Sequence, residues 1–550
     1  MGTRRARTAA GSTGSLEKAG GSEERQEKVA AGSEGPPEKA AARKPVSRSL
    51  AAAVVVAALV GLLALPVAAF AIEHEEPPTS FEPLLEAENF AITQQRQAIY
   101  DTPEYQAQLA EQGVKNHEEA TIEQASDPER NFSDDVCFEG ENGCAGDVRL
   151  YNWEKDGSGR VRKVLFTARN GATISARIWS AVNPVLHPNA KMPGIVITNG
   201  SVQADEQMYW YAAQALAKDG YLVMTFDPQG QGQSDTFGQA PDEQEGFPAQ
   251  SDGRPFFDGT EDAINFFLSS PKHPYVPVPS CETGTSHAAK QNERVQKGLD
   301  AAYNPFWHEL KSTGIGLAGH SYGAAGVSYI AQWDPRVKAV VAWDNLAEPN
   351  PNQTTGASGG GPEEKPCPST PADRTVAPVT KPGLGMSADY FLPPTPNTSL
   401  PDPQAKSTES HAYSAAGVDS GEIIIRGGSH LDYSFIPNQA FGASLRGADE
   451  ISWYTSAWFD KYVKGEKAAD KRLLTNRWRE DPIEAAVDSH HDGNAFSFYY
   501  YSRLDIHRAD GEVFDCENLR KGCPGLVHER NPGSYSYLAT DTSPLGLDRP

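Results

Sequence analysis

The sequence predicts an α/β fold, a mostly parallel central sheet with helices on both faces and an extension at each end. Two observations carry this expectation. Short apolar runs alternate with amphipathic stretches from Met192 to Gly465. Those runs, among them "MPGIVIT", "YLVMTF" and "VKAVVAW", are apolar at successive positions, as strands covered on both faces are.

The elements follow in order. "PLLEAENFAITQQRQAIYDTPEYQAQLAEQG" reads as amphipathic helix interrupted near Pro103. "RVRKVLFTARNGATISARIWSA" alternates polar and apolar around Asn170-Gly171, which predicts an antiparallel hairpin. "MPGIVITNG" is a buried strand, "MYWYAAQALAKDG" a helix stopped by Gly220, and "YLVMTFDPQGQGQSD" a strand followed by a polar loop. "TEDAINFFLSS" is helical, "GIGLAGH" a strand, "AAGVSYIAQW" a helix and "VKAVVAWDN" a strand. "KPGLGMSADY" and "GEIIIRGGSH" are two more strands, and "ISWYTSAWFDKYVKG" is a closing helix. Residues 271–312 and 345–380 read as long irregular loops, and "SFYYYSRLDI" as one further strand.

The domain expectation is a disordered tail over 1–48, a signal peptide or membrane anchor over 49–71, and a helical extension over 72–146. An α/β domain over 147–466 and a C-terminal extension over 467–550 complete it. The tail holds ten Lys/Arg and six Glu among small residues, with too little apolar surface to fold. Arg43, Lys44 and Arg48 then precede an uncharged apolar run from Leu50 to Ile72. Ala69-Phe70-Ala71 is a cleavage-type ending, yet the run is also long enough to remain as an anchor. Both readings place the bulk of the chain outside the cytoplasm, secreted or held at a membrane through residues 50–72.

The formal charge of −24 in 550 residues, with no long basic patch, argues against a nucleic-acid partner. The expectation is a monomer. Six cysteines suit an oxidising compartment. By proximity Cys137 pairs with Cys144 and Cys516 with Cys523, leaving Cys281 and Cys367, one of 15 arrangements six cysteines permit. Their spacing is not that of a zinc site, and no metal or cofactor is expected.

Ligands of such sheets bind at the carboxyl ends of the strands. "GIGLAGHSYGAAG" ends one strand with Ser321 between Gly319 and Gly323, a G-x-S-x-G elbow. "GMSADY" offers Asp389 and "IIIRGGSH" offers His430. Ser, Asp, His in that chain order is the arrangement of an acyl-transfer triad on this architecture. The hydroxyl needs a base and the imidazole needs a carboxylate to fix its tautomer. Asp344 also ends a strand and competes with Asp389 for the acid role, and Asp432 lies close to His430. The N–H groups of Tyr322 and Ser201 are the expected oxyanion donors.

From about Val161 to Lys464 the chain resembles the α/β-hydrolases, and more narrowly the secreted lipase, cutinase and polyester-hydrolase branch. "VITNGSVQADEQMYWYAAQALAKDGYLVMTFD", "GHSYGAAG", "VVAWDN", "MSADYFLPP" and "GGSHLDYS" carry the resemblance. It implies a serine esterase acting on a small-molecule, lipid or polyester substrate, with Ser201 as an oxyanion donor, Asp389 as acid, His430 as base and Trp343 as an aromatic substrate platform. Trp343 reads equally well as core. A prolyl-type serine peptidase shares the fold and triad, and a degenerate hydrolase-like adhesion domain is the non-enzyme alternative.

Overall fold

The computed structural model describes residues 103–131, 160–201, 205–246, 254–349, 377–391, 401–434, 445–475 and 496–526, with a few positions at 83–89, 153–154 and 159. The expected tail, the signal or anchor segment, Cys137, Cys144 and Cys367 lie outside the described residues. Among the described residues no helix is long and apolar enough to cross a membrane.

Helix α1 (Pro103–Ser126) begins at the proline that the sequence marks as a break. Proline suits the first helical position because its missing N–H would have no intrahelical acceptor there. Strands β1 (Arg160–Thr167) and β2 (Thr173–Ser180) form the expected hairpin. Gly171 takes φ 84° in its turn. Strand β3 (Met192–Thr198), helix α2 (Trp210–Lys218), strand β4 (Leu222–Phe226) and helix α3 (Arg254–Phe267) follow. The stretch expected to be irregular at 271–312 contains helix α4 (Ala288–Gln296). Strand β5 (Leu310–His320), helix α5 (Tyr322–Trp333), strands β6 (Val337–Trp343) and β7 (Gly383–Tyr390), helix α6 (Thr408–Ala415), strand β8 (Ser420–Ser429) and helix α7 (Leu445–Phe459) complete the alternation. Strands β9 (Arg503–His507) and β10 (Val513–Cys516) end the described chain.

Among the described residues one ten-stranded sheet runs β1-β2-β4-β3-β5-β6-β7-β8-β9-β10. Its centre, β4-β3-β5-β6-β7-β8, is parallel, as expected. Its two edges are antiparallel, so the sheet as a whole is mixed. Parallel neighbours need a crossover long enough for a helix, whereas tight turns join β1 to β2 and β9 to β10 in antiparallel pairs. The sheet therefore runs through the boundary expected near Lys467, because the C-terminal extension supplies β9 and β10.

Alternation along the central strands builds two apolar layers. Ile195, Ile197, Val341 and Trp343 face α2 and α7, while Val196, Val340 and Ala342 face α3 and α5. The N-terminal extension is tied on by buried ion pairs, Arg130 to Asp235 at 2.6 Å and Asp127 to Arg294 at 2.6 Å. Cys516 and Cys523 form the expected disulfide, and Cys281 is also disulfide-bonded.

One core group predicts a pH effect. Glu422 on β8 is fully buried, and its carboxyl accepts the Ser387 hydroxyl. Burial pushes this carboxyl up to about 8. The folded state thus holds a proton that the unfolded chain releases near its ordinary value of 4.5. Stability falls as pH rises through that window, by at most about 1.4 kcal/mol per pH unit from this group. Glu422→Gln removes this component, so the slope of unfolding free energy against pH becomes shallower between pH 5 and pH 8 in urea titrations. An unchanged slope would contradict it.

Candidate active site

The carboxyl ends of β5, β6 and β8 meet at one place. Ser321 stands between β5 and α5 at φ 56° and ψ −119°, a conformation that L-residues rarely adopt. Such backbone persists only where its surroundings enforce it. The Ser321 N–H donates to the Trp343 carbonyl at 2.9 Å, and its own carbonyl accepts the Ala325 N–H. A Cβ on Gly323 would lie 2.3 Å from the Asn199 carbonyl oxygen, so the helix can approach the β3 loop only through glycine here.

His430 opens a short 3-10 turn directly after β8. Its Nδ1 lies 2.5 Å from Asp344 Oδ2, and its backbone N–H donates to the Phe391 carbonyl at 3.1 Å. Burial pushes the Asp344 carboxyl up, but the hydrogen bond and charge of His430 outweigh it and hold the group below the usual carboxylate range. Asp344 has φ 50°, and its N–H donates to the Met386 carbonyl at 2.7 Å.

The expectation of Asp389 as the partner of His430 is corrected. Asp389 is buried, accepting the Gly427 N–H at 2.6 Å, the Ser497 hydroxyl, and the Asn89 side-chain amide at 3.3 Å. It lies within β7, so its direction is set by the strand, whereas Asp344 follows the end of β6 and turns toward His430. Asp432 does not meet the imidazole either; it accepts the Ser429 N–H at 2.7 Å.

Trp343 is corrected as well. It is fully buried, stacks on Tyr209 at 6.3 Å, and donates from Nε1 to Thr455 Oγ1 at 3.0 Å. Strand alternation sends it beneath the sheet, away from any substrate. The exposed aromatic at the site is Phe391, which is 66% exposed with its ring 4.8 Å from that of His430. Its signal in the sequence was an aromatic just past the end of a strand.

The expected oxyanion donors lie on the two elements beside Ser321. Tyr322 is the first residue of α5. Ser201 is half-buried in the loop after β3. A Cβ on neighbouring Gly200 would lie 3.2 Å from Ser321 Cβ, which puts this loop against the serine. Asp227 fixes the loop by accepting from the Asn199 amide at 3.0 Å and the Glu206 N–H at 2.7 Å.

The sequence reading passed over one pair beneath the site. Tyr209 Oη accepts the Gly200 N–H at 2.8 Å and lies 2.8 Å from His320 Nδ1. The His320 ring lies 4.4 Å from that of His430. Burial, then the neighbouring His430, hold His320 well below the usual histidine range. It is a neutral support for the histidine above it. Among the described residues no His/Cys/Asp/Glu group could hold a metal ion.

No family model matches the chain. A hydrolase designated LUC6 from Fusarium sp. is 36% identical over 76 residues, 14% of this chain and 18% of that protein's length. This partial similarity points to a hydrolase.

Proposed function

We propose that the protein is a serine hydrolase with the α/β-hydrolase fold, cleaving carboxylic esters through an acyl-enzyme. The observation that carries the reading is the 2.5 Å contact of His430 with Asp344, together with a serine held at positive φ on the strand-to-helix turn that follows β5. Nucleophile, acid and base follow β5, β6 and β8 at the same end of the parallel strands, which supports the finer fold assignment.

In this account Ser321 Oγ attacks the ester carbonyl carbon while His430 takes its proton. Asp344 keeps the proton of the other ring nitrogen on Nδ1 and stabilises the imidazolium. The N–H groups of Tyr322 and Ser201 hold the oxyanion. The carbon–oxygen bond to the alcohol breaks as His430 returns the proton to the leaving oxygen. Water, deprotonated by His430, then attacks the acyl-enzyme, the acyl–Oγ bond breaks, and His430 returns the proton to Ser321 Oγ as the acid leaves.

A panel of short and medium nitrophenyl esters set against peptide anilides tests the reaction class. Ester turnover is expected; anilide turnover without ester turnover would replace it with a peptidase. N-terminal sequencing of exported material tests the export component, with a start at Ile72 for a cleaved signal.

Phe391 marks the side from which the alcohol leaves. The leaving oxygen collects its proton from His430, so the alcohol departs beside the ring that Phe391 covers. Phe391→Ala is expected to raise KM about tenfold for aryl and long-chain alcohol esters, the loss of one buried aromatic contact, with methyl esters little changed. Deacylation, measured by stopped flow, stays at the wild-type rate because the alcohol has gone. Equal losses in both steps would remove Phe391 from the alcohol site.

A further inference from the structure

The carboxylate that does not touch His430 is built into the turn that carries it. We propose that Asp389 is a positioning residue, fixing the His430 turn and coupling it to both chain extensions. This rests on the esterase reading for its kinetic readout alone.

Three donors converge on the buried Asp389 carboxylate, each from a different part of the chain. Gly427, at φ 62° and three residues before His430, gives its backbone N–H at 2.6 Å. Ser497, beyond the closing helix, gives its hydroxyl. Asn89, from the N-terminal extension, gives its amide to Oδ2 at 3.3 Å and to Tyr390 Oη at 3.1 Å. Tyr390 Oη in turn donates to Glu86 Oε2 at 3.0 Å. The residue after Tyr390 is Phe391, whose carbonyl holds the His430 N–H. Consecutive residues 389, 390 and 391 thus bind the turn, the extension and the histidine.

The arrangement has a physical reason. "RGGSH" contains two glycines, so the turn has little side-chain packing of its own to fix it. A local bond from Ser429 N–H to Asp432 closes its near end. Asp389 fixes its far end; burial pushes its carboxyl up, and the bonds it accepts from the Ser497 hydroxyl and the Gly427 N–H oppose that push. A displacement of about 1 Å at a catalytic base can cost about 100-fold in rate, so anchoring the turn bears directly on turnover. Asn89 and Ser497 act on the same carboxylate, and loss of either loosens it.

The test uses the full chain and four variants, Asp389→Asn, Asn89→Ala, Ser497→Ala and Ser497→Thr. Active sites are titrated by the burst of a nitrophenyl ester, so that kcat is expressed per working site. The expected result is a roughly tenfold fall in kcat per site for Asp389→Asn, with KM unchanged. Asn89→Ala and Ser497→Ala show smaller falls of the same kind, and Ser497→Thr, which keeps the hydroxyl, restores wild-type turnover. A merely structural role would lower the number of titrated sites and leave kcat per site intact, which would overturn the proposal. Hydrogen exchange at the Gly427 amide provides a readout that needs no substrate. It is expected to accelerate in Asp389→Asn and Asn89→Ala, and unchanged exchange in both would also overturn the proposal. Should Asp389→Asn not fold, Asn89→Ala and the two Ser497 variants decide it. Accelerated exchange in a protein without ester turnover would retain the positioning role and reject the esterase reading.

Discussion

Asp344→Asn is expected to lower kcat on a nitrophenyl ester by about 10,000-fold, while Asp389→Asn lowers it only about tenfold. The large effect has a specific origin. With a carboxylate against Nδ1, the imidazole carries its proton there and offers the other nitrogen to Ser321. A carboxamide can place its NH2 against Nδ1 instead, which favours the opposite tautomer and leaves the base blocked. It also removes the charge that stabilises the imidazolium. The fold should tolerate the change, because Asp344 is near the surface of the site and Asn is its isostere. Equal effects from the two aspartates, or the reverse ranking, would return the acid role to Asp389.

Ser321→Ala is expected to lower kcat by about a million-fold, removing the acyl-enzyme itself. On the proposed mechanism what remains is the binding and polarisation assigned to the Tyr322 and Ser201 amides, worth about 1,000-fold over water. Burst kinetics separates the cases. Wild type shows a burst of one alcohol per site, and Ser321→Ala shows none. Stability is expected to rise slightly, since alanine has no polar group to satisfy at the elbow, while its positive φ remains unfavourable for either residue. A variant that kept its burst would place the nucleophile elsewhere.

The candidate site was legible in the sequence where a motif encodes backbone geometry. Ser321 stood out because Gly319 and Gly323 report a tight strand-to-helix crossing, and a Cβ at Gly323 would indeed meet backbone oxygen. His430 was legible because the chain leaves β8 there. The choice between Asp344 and Asp389 was not, because both lie at the ends of neighbouring parallel strands. It turns on a backbone angle: Asp344 takes φ 50° after β6, and Asp389 keeps the strand's alternation and points into the sheet's end. Trp343 follows the same logic, since the register that frees Asp344 buries the residue before it. The parallel centre was read from strands apolar on both faces. The strand read in "SFYYYSRLDI" is β9, confined to Arg503–His507, whereas β10 was not read from the sequence.

The central claim is that Ser321 is a nucleophile activated by the His430–Asp344 pair. The most direct measurement is fluorophosphonate labelling of the full chain at neutral pH, with the modified residue identified by peptide mass spectrometry. The account predicts one phosphonyl group per chain, on Ser321, with labelling greatly slowed in Asp344→Asn and slowed far less in Asp389→Asn. Wild-type protein left unlabelled under conditions that label other serine hydrolases, or labelled on another residue, would contradict it.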